Sequence, residues 1–342
     1  MRAVWVDAYK PFEELTLAEV PSPQVGPRQV RIAVQAAGIS FADTLFVSGR
    51  YQRKPPLPFV PGYEAAGVVC AVGSEVSRFR PGDRVAGSID WGAMAEEAVA
   101  PEVNLHALPD AIGFPEAIYA TGALTACAAQ TWSHLLDVQG GDWLLVHGAA
   151  GGVGLPAVAV GKRLGARVIA TASSPEKLDA VRQHGADYAI NYTQETFRER
   201  VLEITAGRGV DKVFDPVGGE VFLQSLRCMA PEGRICVIGF ASGDIPQIPT
   251  NILLVKNLTV CGANFGYYVG WSPKDVRYQY EARMRTLTRQ VYDWCVAGDL
   301  RPQVSGVYLL RRFQDAMRAV MDRSVIGRVV LVMGDEASRH GF

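Results

Sequence analysis

The stretch Trp143-Leu-Leu-Val-His-Gly-Ala-Ala-Gly-Gly-Val-Gly154 decides the fold of this chain. Trp143 to Val146 is a short apolar run typical of a buried parallel strand, and Leu155 to Leu164 carries apolar residues at helical spacing. Glycines between a strand and a helix let the backbone approach a pyrophosphate closely, with helix N–H groups facing its charge. A glycine-rich turn without a ligand is the alternative, since Ala149 stands where the strictest pattern has glycine. The pattern predicts a dinucleotide-binding loop made of Gly151, Gly152, Val153 and Gly154.

The end of the next strand indicates which dinucleotide binds. Val168 to Thr171 forms that strand, and an NAD site places a carboxylate at its end to bind the ribose 2′-hydroxyl. Here Ser173 and Ser174 replace the carboxylate, and Lys177 follows. Hydroxyl donors and an ammonium group would bind a 2′-phosphate that a carboxylate repels, so the sequence favours NADPH over NADH. The alternative, compatible with it, is that one of these serines caps the following helix.

Composition excludes several classes of function. The chain has 342 residues, enough for two domains, of which 49% are hydrophobic and 20% are charged, with a net charge of -1. This balance gives no electrostatic footprint for nucleic acid or a membrane surface, and we expect no transmembrane segment or signal peptide. The scattered cysteines are typical of a reducing compartment, so we expect a cytoplasmic protein.

The order of apolar patterns predicts an α/β fold with two parts. Residues 1 to about 120 are β-rich, with alternation from Val30 to Ala36 and frequent proline and glycine turns. From about 140 to 265 strands and helices alternate, which predicts a doubly wound parallel sheet. Roughly the last 75 residues return to mixed structure, including a long helix predicted over Lys274 to Ala297. The strand ends nearest the switch point of such a sheet bind the ligand, which adds Val217, Gly239 and Phe240 to the candidate cofactor residues.

Several motifs together resemble the medium-chain dehydrogenase/reductase superfamily, and within it the zinc-free quinone oxidoreductases of the ζ-crystallin type. The resemblance covers nearly the whole chain. It is carried by Gly38-Ile-Ser-Phe-Ala-Asp-Thr44, Pro61-Gly-Tyr-Glu-Ala-Ala-Gly67, Arg80-Pro-Gly-Asp-Arg-Val85, Gly122-Ala-Leu-Thr-Ala126, the glycine loop and Gly327-Arg-Val-Val-Leu331. It implies a GroES-like catalytic domain in two pieces, 1–123 and 267–342, around an NADP-binding Rossmann domain, 124–266. It also implies an active site between the domains and a homodimer formed through the strand near Leu258 to Gly262.

The resemblance also implies that no metal is bound. Zinc enzymes of the superfamily have a cysteine near position 40, a histidine beside Gly62 and a second cysteine near 121 to 127. This chain has Ser40, Tyr63 and Glu64 in the first two regions, and Cys127 alone cannot make a zinc site. A quinone or an activated alkene needs less Lewis-acid help than a simple carbonyl, because its hydride adduct delocalises the charge. The predicted substrate is therefore a quinone or an activated alkene.

The family likeness assigns further residues by position. Around the substrate it names Ser40, Asp43, Tyr51 and Tyr63, although Asp43 could equally hold its own loop and the tyrosines could be packing. His147 is expected to be a packed histidine. Arg323 is preferred over Arg328 as a phosphate contact, since Arg328 could face solvent. For the cofactor the likeness names Thr125, the 151–154 loop, Ser173, Lys177, Tyr192, Phe240, Phe265, Arg323 and Arg328.

Three functions remain open from the sequence. The first is NADPH-dependent reduction of quinones, and the second is reduction of an enone, alkenal or enoyl thioester, for which Arg50, Arg53 and Lys54 could bind phosphates at the entrance. The third is a cofactor-binding structural protein with little turnover. The aromatic loop from Asn264 to Trp271 is expected to be a mobile rim for a flat apolar substrate.

Overall fold

The computed structural model describes residues 1–340, which divide into two compact units. The first consists of Met1–Thr121, Gly266–Val296 and the segment that starts at Pro302, and the second consists of Gly122–Phe265 and Ala297–Arg301. Residues 297–301 thus belong with the second unit. The boundaries expected from the sequence, at 123/124 and 266/267, stay a prediction.

Strands and helices are numbered here in chain order. The strands are β1 Arg2–Trp5, β2 Thr16–Glu19, β3 Gln29–Ile39, β4 Glu64–Val72, β5 Arg84–Ser88, β6 Glu97–Pro101, β7 Leu105–Ala107, β8 Trp143–Val146, β9 Arg167–Ala172, β10 Tyr188–Asn191, β11 Val210–Asp215, β12 Met229–Val237, β13 Thr259–Gly262, β14 Val304–Leu309 and β15 Arg328–Val332. The α-helices are α1 Phe41–Val47, α2 Phe114–Thr131, α3 Gly154–Arg163, α4 Pro175–Gln183, α5 Phe197–Ile204, α6 Gly219–Arg227, α7 Thr250–Lys256, α8 Glu281–Ala297, α9 Phe313–Met321 and α10 Gly334–Arg339.

The first unit is built on the long strand β3. It pairs antiparallel with β4, β6 and β15, inside a sheet ordered β14-β15-β3-β4-β5-β7. Its side chains alternate between the two faces, and Val30, Ile32 and Val34 are at most 1% exposed, so one face forms the core. The strand ends at Ile39, directly before the candidate substrate residues.

The second unit is a six-stranded parallel sheet in the order β10-β9-β8-β11-β12-β13. The chain leaves β8 in one direction through β9 and β10 and returns to β11 on the other side. This reversal makes a switch point between β8 and β11, where parallel strand ends leave a crevice for a ligand. The sheet therefore places the glycine loop after β8 beside the loop after β11, and the doubly wound fold expected from the sequence is confirmed.

One helix predicted from the sequence is wrong at its start. The pattern predicted a helix from Lys274, but α8 begins at Glu281. The Asp275 carboxylate accepts the backbone N–H of Arg277 at 3.1 Å. This bond closes an Asx turn that competes with helical pairing, so the residues before Glu281 take a turn conformation.

The last strand of the parallel sheet is an edge. β13 pairs with β12 on one side, and Thr259 and Gly262 are exposed. Neighbouring α7 has no buried residue. In the part of the chain that the structure describes, no helix has the length and apolar character to cross a bilayer.

Candidate functional site

The glycine loop connects β8 to α3 in a tight path. Gly148 has φ 54°, a left-handed conformation that glycine adopts without steric cost. The Ala149 N–H donates to Thr171 of β9 at 3.1 Å, and the Gly151 N–H donates back to Gly148 at 3.0 Å. Ala149 is fully buried, so the position that is glycine in the strictest pattern is part of the core here. The loop therefore carries its ligand-facing glycines after Ala149.

Two glycines of this loop have different structural demands. A Cβ on Gly154 would collide with the Gly148 carbonyl and the Ala149 backbone, whereas a Cβ on Gly151 would meet only the Gly148 oxygen, at 3.3 Å. Gly154 is therefore needed for packing of the loop on α3. Gly151 leaves room at the start of α3, as a pyrophosphate cradle requires.

The end of β9 holds a cluster of hydrogen-bond donors. Ser174 is the N-cap of α4, accepting the Lys177 N–H at 3.4 Å, with Pro175 in the first turn. The Lys177 ammonium reaches back to the Ser173 hydroxyl, at 3.4 Å. The capping alternative is thus correct for Ser174, and it coexists with a hydroxyl and an ammonium side by side. This donor set fits a phosphate, and the Glu176 carboxylate beside it is bonded to the Ser174 side chain.

The loops after β11 and β12 are hydrogen-bonded to each other. The buried Asp215 carboxylate accepts the N–H groups of Val217 and Gly218 at 2.8 and 3.0 Å. The N–H of Ala241, next to Phe240, donates to Pro216 at 3.0 Å, and that of Ser242 donates to Val217 at 3.0 Å. Val217, Gly239 and Phe240 are half-buried. Asp215 therefore fixes the loop that carries Val217.

His147 ties three elements of the second unit together. Its Nδ1 lies 3.0 Å from the Thr171 hydroxyl, and its Nε2 lies 2.8 Å from the Ser225 hydroxyl. Burial lowers the pKa of His147 to about 3, so the ring is neutral at physiological pH. Both ring nitrogens are occupied inside the fold, as expected for a packed histidine.

The remaining candidate cofactor residues lie apart from these loops in the sequence. Thr125 lies in α2, and Tyr192 follows β10 with 46% of its surface exposed. Phe265 begins a 3₁₀ helix that ends at Val269. Arg323, just after α9, has a left-handed backbone with φ 52° and an exposed side chain.

Three candidate substrate residues of the first unit form a chain of hydrogen bonds. The Tyr63 hydroxyl donates to the Ser40 hydroxyl at 2.8 Å, and Ser40 donates to the Asp43 carboxylate at 2.9 Å. The Ser40 backbone N–H donates to the same Asp43 oxygen at 2.8 Å. Asp43 is fully buried, whereas Ser40 and Tyr63 are half-buried. The chain therefore leads from two half-buried residues to an enclosed carboxyl group.

A buried ion pair lies beside this chain. Arg328 of β15 contacts the Glu64 carboxylate of β4, and both residues are about 5% exposed or less. A Cβ on Gly38 would collide with both groups, so glycine at this position of β3 makes room for the pair. The expectation that Arg328 could face solvent is wrong, because Glu64 pairs with it inside the unit.

Burial and the neighbouring groups shift the pKa of Asp43. Burial raises the pKa of Asp43 to about 6, against the opposing hydrogen bonds from Ser40 and the charge of Arg328. Burial also raises the pKa of Tyr63 and of Tyr51, and the nearby Asp43 adds to both shifts. The tyrosines are therefore neutral phenols at physiological pH, and Asp43 titrates close to that range.

An aromatic cluster surrounds Tyr63. The Trp271 ring lies 5.1 Å from Tyr63 and 5.2 Å from Phe46, centroid to centroid, in edge-to-face arrangements. Tyr51 lies 4.3 Å from Phe46. Such contacts favour a flat aromatic or conjugated ligand over a charged one. Sequence reasoning named Tyr51 and Tyr63 and omitted Phe46, whose position five residues before Tyr51 in a short apolar helix was the available signal.

Charged side chains anchor the segment that carries Trp271. Arg277, 5% exposed, lies 3.2 Å from both carboxylate oxygens of Asp90. Arg53 donates to the Gly270 carbonyl at 3.3 Å and stacks on Trp91, 5.0 Å from its centroid. These contacts fix the end of the loop from Asn264 to Trp271, which was expected from the sequence to be a mobile rim. They also engage Arg53, one of the cations considered for phosphate binding at the entrance.

The positions of the zinc ligands in related enzymes hold other partners here. Ser40 and Tyr63 bond to each other, Glu64 pairs with Arg328, and burial raises the pKa of Cys127 to about 12. Within residues 1–340, no group of three or more His, Cys, Asp or Glu side chains is arranged to hold a metal ion.

Comparisons with known proteins agree with both units. Residues 26–110 match the alcohol dehydrogenase GroES-like domain, and residues 152–285 match the zinc-binding dehydrogenase family. The chain is 37% identical over 325 residues to quinone oxidoreductase-like protein 2 of Mus musculus, covering 93% of this chain and 89% of the relative.

Two bacterial proteins are also similar over nearly their whole length. The quinone oxidoreductase of Pseudomonas aeruginosa is 37% identical over 331 residues, covering 95% of this chain and 97% of the relative. The crystal structure of Escherichia coli quinone oxidoreductase complexed with NADPH superposes with a TM-score of 0.88 at 28% identity, covering 97% of this chain and all of that one.

Proposed function

Because this chain belongs to the zinc-free quinone oxidoreductase family of medium-chain dehydrogenases/reductases, we propose that it is an NADPH-dependent quinone oxidoreductase. The single observation that carries the choice of cofactor is the Lys177 ammonium 3.4 Å from the Ser173 hydroxyl at the end of β9. These donors suit a 2′-phosphate, while the exposed Glu176 carboxylate is bonded to the neighbouring Ser174.

NADPH supplies the hydride when it is bound, and the residues of the second unit supply its binding. Gly151, Gly152, Val153 and Gly154 hold the pyrophosphate with backbone N–H groups. Val217, fixed by Asp215, would contact the cofactor together with Thr125 and Gly239. Phe240 and Phe265 would lie near the nicotinamide, and Tyr192 would flank the adenosine phosphate. Arg323 is the preferred phosphate contact of the closing segment, because Arg328 is paired with Glu64.

The residues of the first unit bind and orient the substrate. The aromatic cluster of Phe46, Tyr51, Tyr63 and Trp271 packs on a flat ring, and the hydroxyls of Ser40 and Tyr63 bond to its oxygen. Reduction of a quinone places charge on a phenolate oxygen, which a few fixed hydrogen bonds can stabilise. The domains of this proposal are those expected from the sequence, 1–123 with 267–342, and 124–266.

The protein acts as a cytoplasmic homodimer in this proposal. The unpaired edge of β13 and the exposed side chains of Ile245, Leu254 and Val255, which are 65%, 79% and 82% exposed, support pairing of two sheets edge to edge. Among the described residues no cysteine forms a disulfide, which supports a reducing compartment. Leu254→Glu with Val255→Glu should convert a dimer to a monomer in light scattering, and an unchanged mass would contradict this assembly.

One panel tests the enzymatic proposal. Purified protein is assayed for oxidation of NADPH and of NADH with 1,4-benzoquinone, 9,10-phenanthrenequinone, an alkenal and crotonyl-CoA. We expect turnover with NADPH and the quinones. Turnover with the alkenal or the thioester alone would instead establish alkene reduction. If NADPH binds tightly but no acceptor is reduced, the result would instead support a cofactor-binding protein with little turnover.

A further inference from the structure

We infer that Tyr63, Ser40 and Asp43 form a proton relay that protonates the oxygen of the reduced substrate, an inference that rests on the function proposed above. Hydride transfer leaves a phenolate or an enolate, which needs a proton to become the product. The two consecutive hydrogen bonds of 2.8 and 2.9 Å connect the half-buried Tyr63 to an enclosed carboxyl group.

Burial favours a protonated carboxyl group on Asp43, against the charge of Arg328 and the hydrogen bonds from Ser40. Two carboxylates, Asp43 and Glu64, share the neighbourhood of one buried cation, Arg328, and Glu64 is the one in direct contact with it. The Oδ1 atom of Asp43 is buried with no hydrogen-bond partner among the described residues. An ionised carboxylate in that position would be poorly compensated, so Asp43 can store a proton.

The protonation state of Asp43 sets the direction of the chain. When Asp43 is ionised, its Oδ2 accepts from Ser40, and Ser40 accepts from Tyr63, which is the arrangement in the structure. Hydroxyl groups both donate and accept, so a proton on Asp43 Oδ2 reverses both bonds. The Tyr63 O–H is then free to donate to a substrate oxygen.

The transfer balances in three steps. The anionic substrate oxygen takes the proton of Tyr63 Oη, whose O–H electron pair remains on the phenol oxygen. Tyr63 takes the proton of Ser40 Oγ, and Ser40 takes that of Asp43, which is left as a carboxylate. After the product leaves, a solvent proton returns along the chain and restores the carboxyl group.

The groups facing Asp43 determine its titration. They are Arg328 from β15, the tyrosine and serine of the hydrogen-bonded chain (Tyr63 and Ser40), and Tyr51, which follows α1. Burial is the largest influence and raises the pKa of Asp43 to about 6. The protonated fraction of Asp43 therefore decreases as the pH rises above this value, and kcat should decrease with it.

Three variants test the relay. Asp43→Asn keeps an oxygen that can accept the Ser40 N–H and so preserves the cap of α1, but it carries no transferable proton. Tyr63→Phe and Ser40→Ala each interrupt the chain, and Ser40→Thr restores the hydroxyl. We expect kcat with an enone or a quinone to fall roughly 10²-fold in the first three variants. We also expect the solvent deuterium isotope effect on kcat to disappear, and Ser40→Thr to recover both.

Matched controls and a second readout separate this inference from the proposed function. Tyr188→Phe and Asp110→Asn, on exposed residues, should behave like wild type. Infrared difference spectra of the unliganded protein should show a protonated carboxyl band that titrates near pH 6 and is absent in Asp43→Asn. If no acceptor is reduced by wild type, the proposed function fails while this band still reports on the stored proton. Absence of the band, or unchanged kcat and isotope effect in Tyr63→Phe and Asp43→Asn, would overturn the relay.

Discussion

The Arg277 guanidinium lies 3.2 Å from both carboxylate oxygens of Asp90, with only 5% of Arg277 exposed. A second carboxylate, Asp275, bonds to its Nε at 2.9 Å. Breaking a buried ion pair by removing one partner leaves a charge without compensation, which costs more than the pair itself contributes. This pair therefore controls whether the segment that carries Trp271 stays packed.

Asp90→Ala is expected to lower the free energy of unfolding by about 2 kcal/mol, because Arg277 loses its two hydrogen bonds to Asp90 and keeps the half-exposed Asp275 as its carboxylate partner. Urea titration measures this loss. The double variant Asp90→Ala with Arg277→Met should recover part of it, since no buried charge remains. Arg289→Met, on an exposed arginine of α8, should have almost no effect. Equal losses in the single and double variants would show that the charge is not what costs stability.

Lys177→Ala is expected to weaken NADPH binding roughly 10- to 100-fold while leaving NADH binding unchanged. Loss of a hydrogen bond to a charged group costs about 1.5–3 kcal/mol, and only NADPH has the 2′-phosphate. Calorimetric titration of both nucleotides measures the ratio. Lys162→Ala, which removes an ion pair with Asp187 in the same unit, serves as the control. A parallel loss for both nucleotides would argue against the assigned contact.

His147 should make the protein sensitive to acid. Its folded pKa of about 3 lies below the usual value of 6.5, so between these values the unfolded state binds more protons and stability falls as the pH falls. The loss at pH 5 is about 2 kcal/mol relative to neutral pH. Asp43, whose folded pKa is raised to about 6, acts in the opposite direction and offsets about 1 kcal/mol.

His147→Gln removes the titration, so the difference in unfolding free energy between pH 7 and pH 5 should shrink by about 2 kcal/mol. Urea titrations at the two pH values measure it. His184→Gln, on a partly exposed histidine, should leave the difference as in wild type. An unaltered pH dependence in His147→Gln would mean that this ring is not the acid-sensitive group.

The sequence predicted those parts of the fold that depend on local patterns. The strands Trp143–Val146 and Val210–Asp215 have the predicted bounds. The first is a continuous apolar run, as is typical of a strand buried on both faces. The predicted start of α8 was wrong because the side chain of Asp275 closes a turn, which the apolar periodicity of the sequence does not indicate. The family likeness with its NADP-binding unit could be recognised because its motifs are short and contiguous.

Pairings between distant residues could not be predicted in this way. Arg328 begins an apolar strand, and a charge in such a strand indicates either solvent exposure or a buried partner. The partner is Glu64, which also begins an apolar strand. The two strands, β15 and β4, come close because both pair antiparallel with β3. The hydrogen bond between Tyr63 and Ser40 likewise depends on the fold, although each residue was a candidate by itself.

Two substitutions in the glycine loop should distinguish an effect on folding from an effect on NADPH binding. Gly154→Ala places a methyl group against the Gly148 carbonyl and the Ala149 backbone, and such overpacking should cost about 1–3 kcal/mol of stability. Gly151→Ala meets only one oxygen, at 3.3 Å, so it should cost less stability than Gly154→Ala. Its methyl group would stand where the pyrophosphate must approach, so NADPH affinity should fall at least tenfold, which corresponds to about 1.4 kcal/mol.

Thermal unfolding and NADPH titration of the two variants, beside Gly140→Ala as a control with an open Cβ position, complete the test. The control should match wild type in both measurements. Gly151→Ala should lose affinity while its unfolding temperature falls less than that of Gly154→Ala, and NADPH should raise that temperature less than in wild type, because ligand stabilisation depends on the ratio of NADPH concentration to Kd. Wild-type NADPH affinity in Gly151→Ala would place the pyrophosphate elsewhere and remove the basis for assigning this loop to the cofactor.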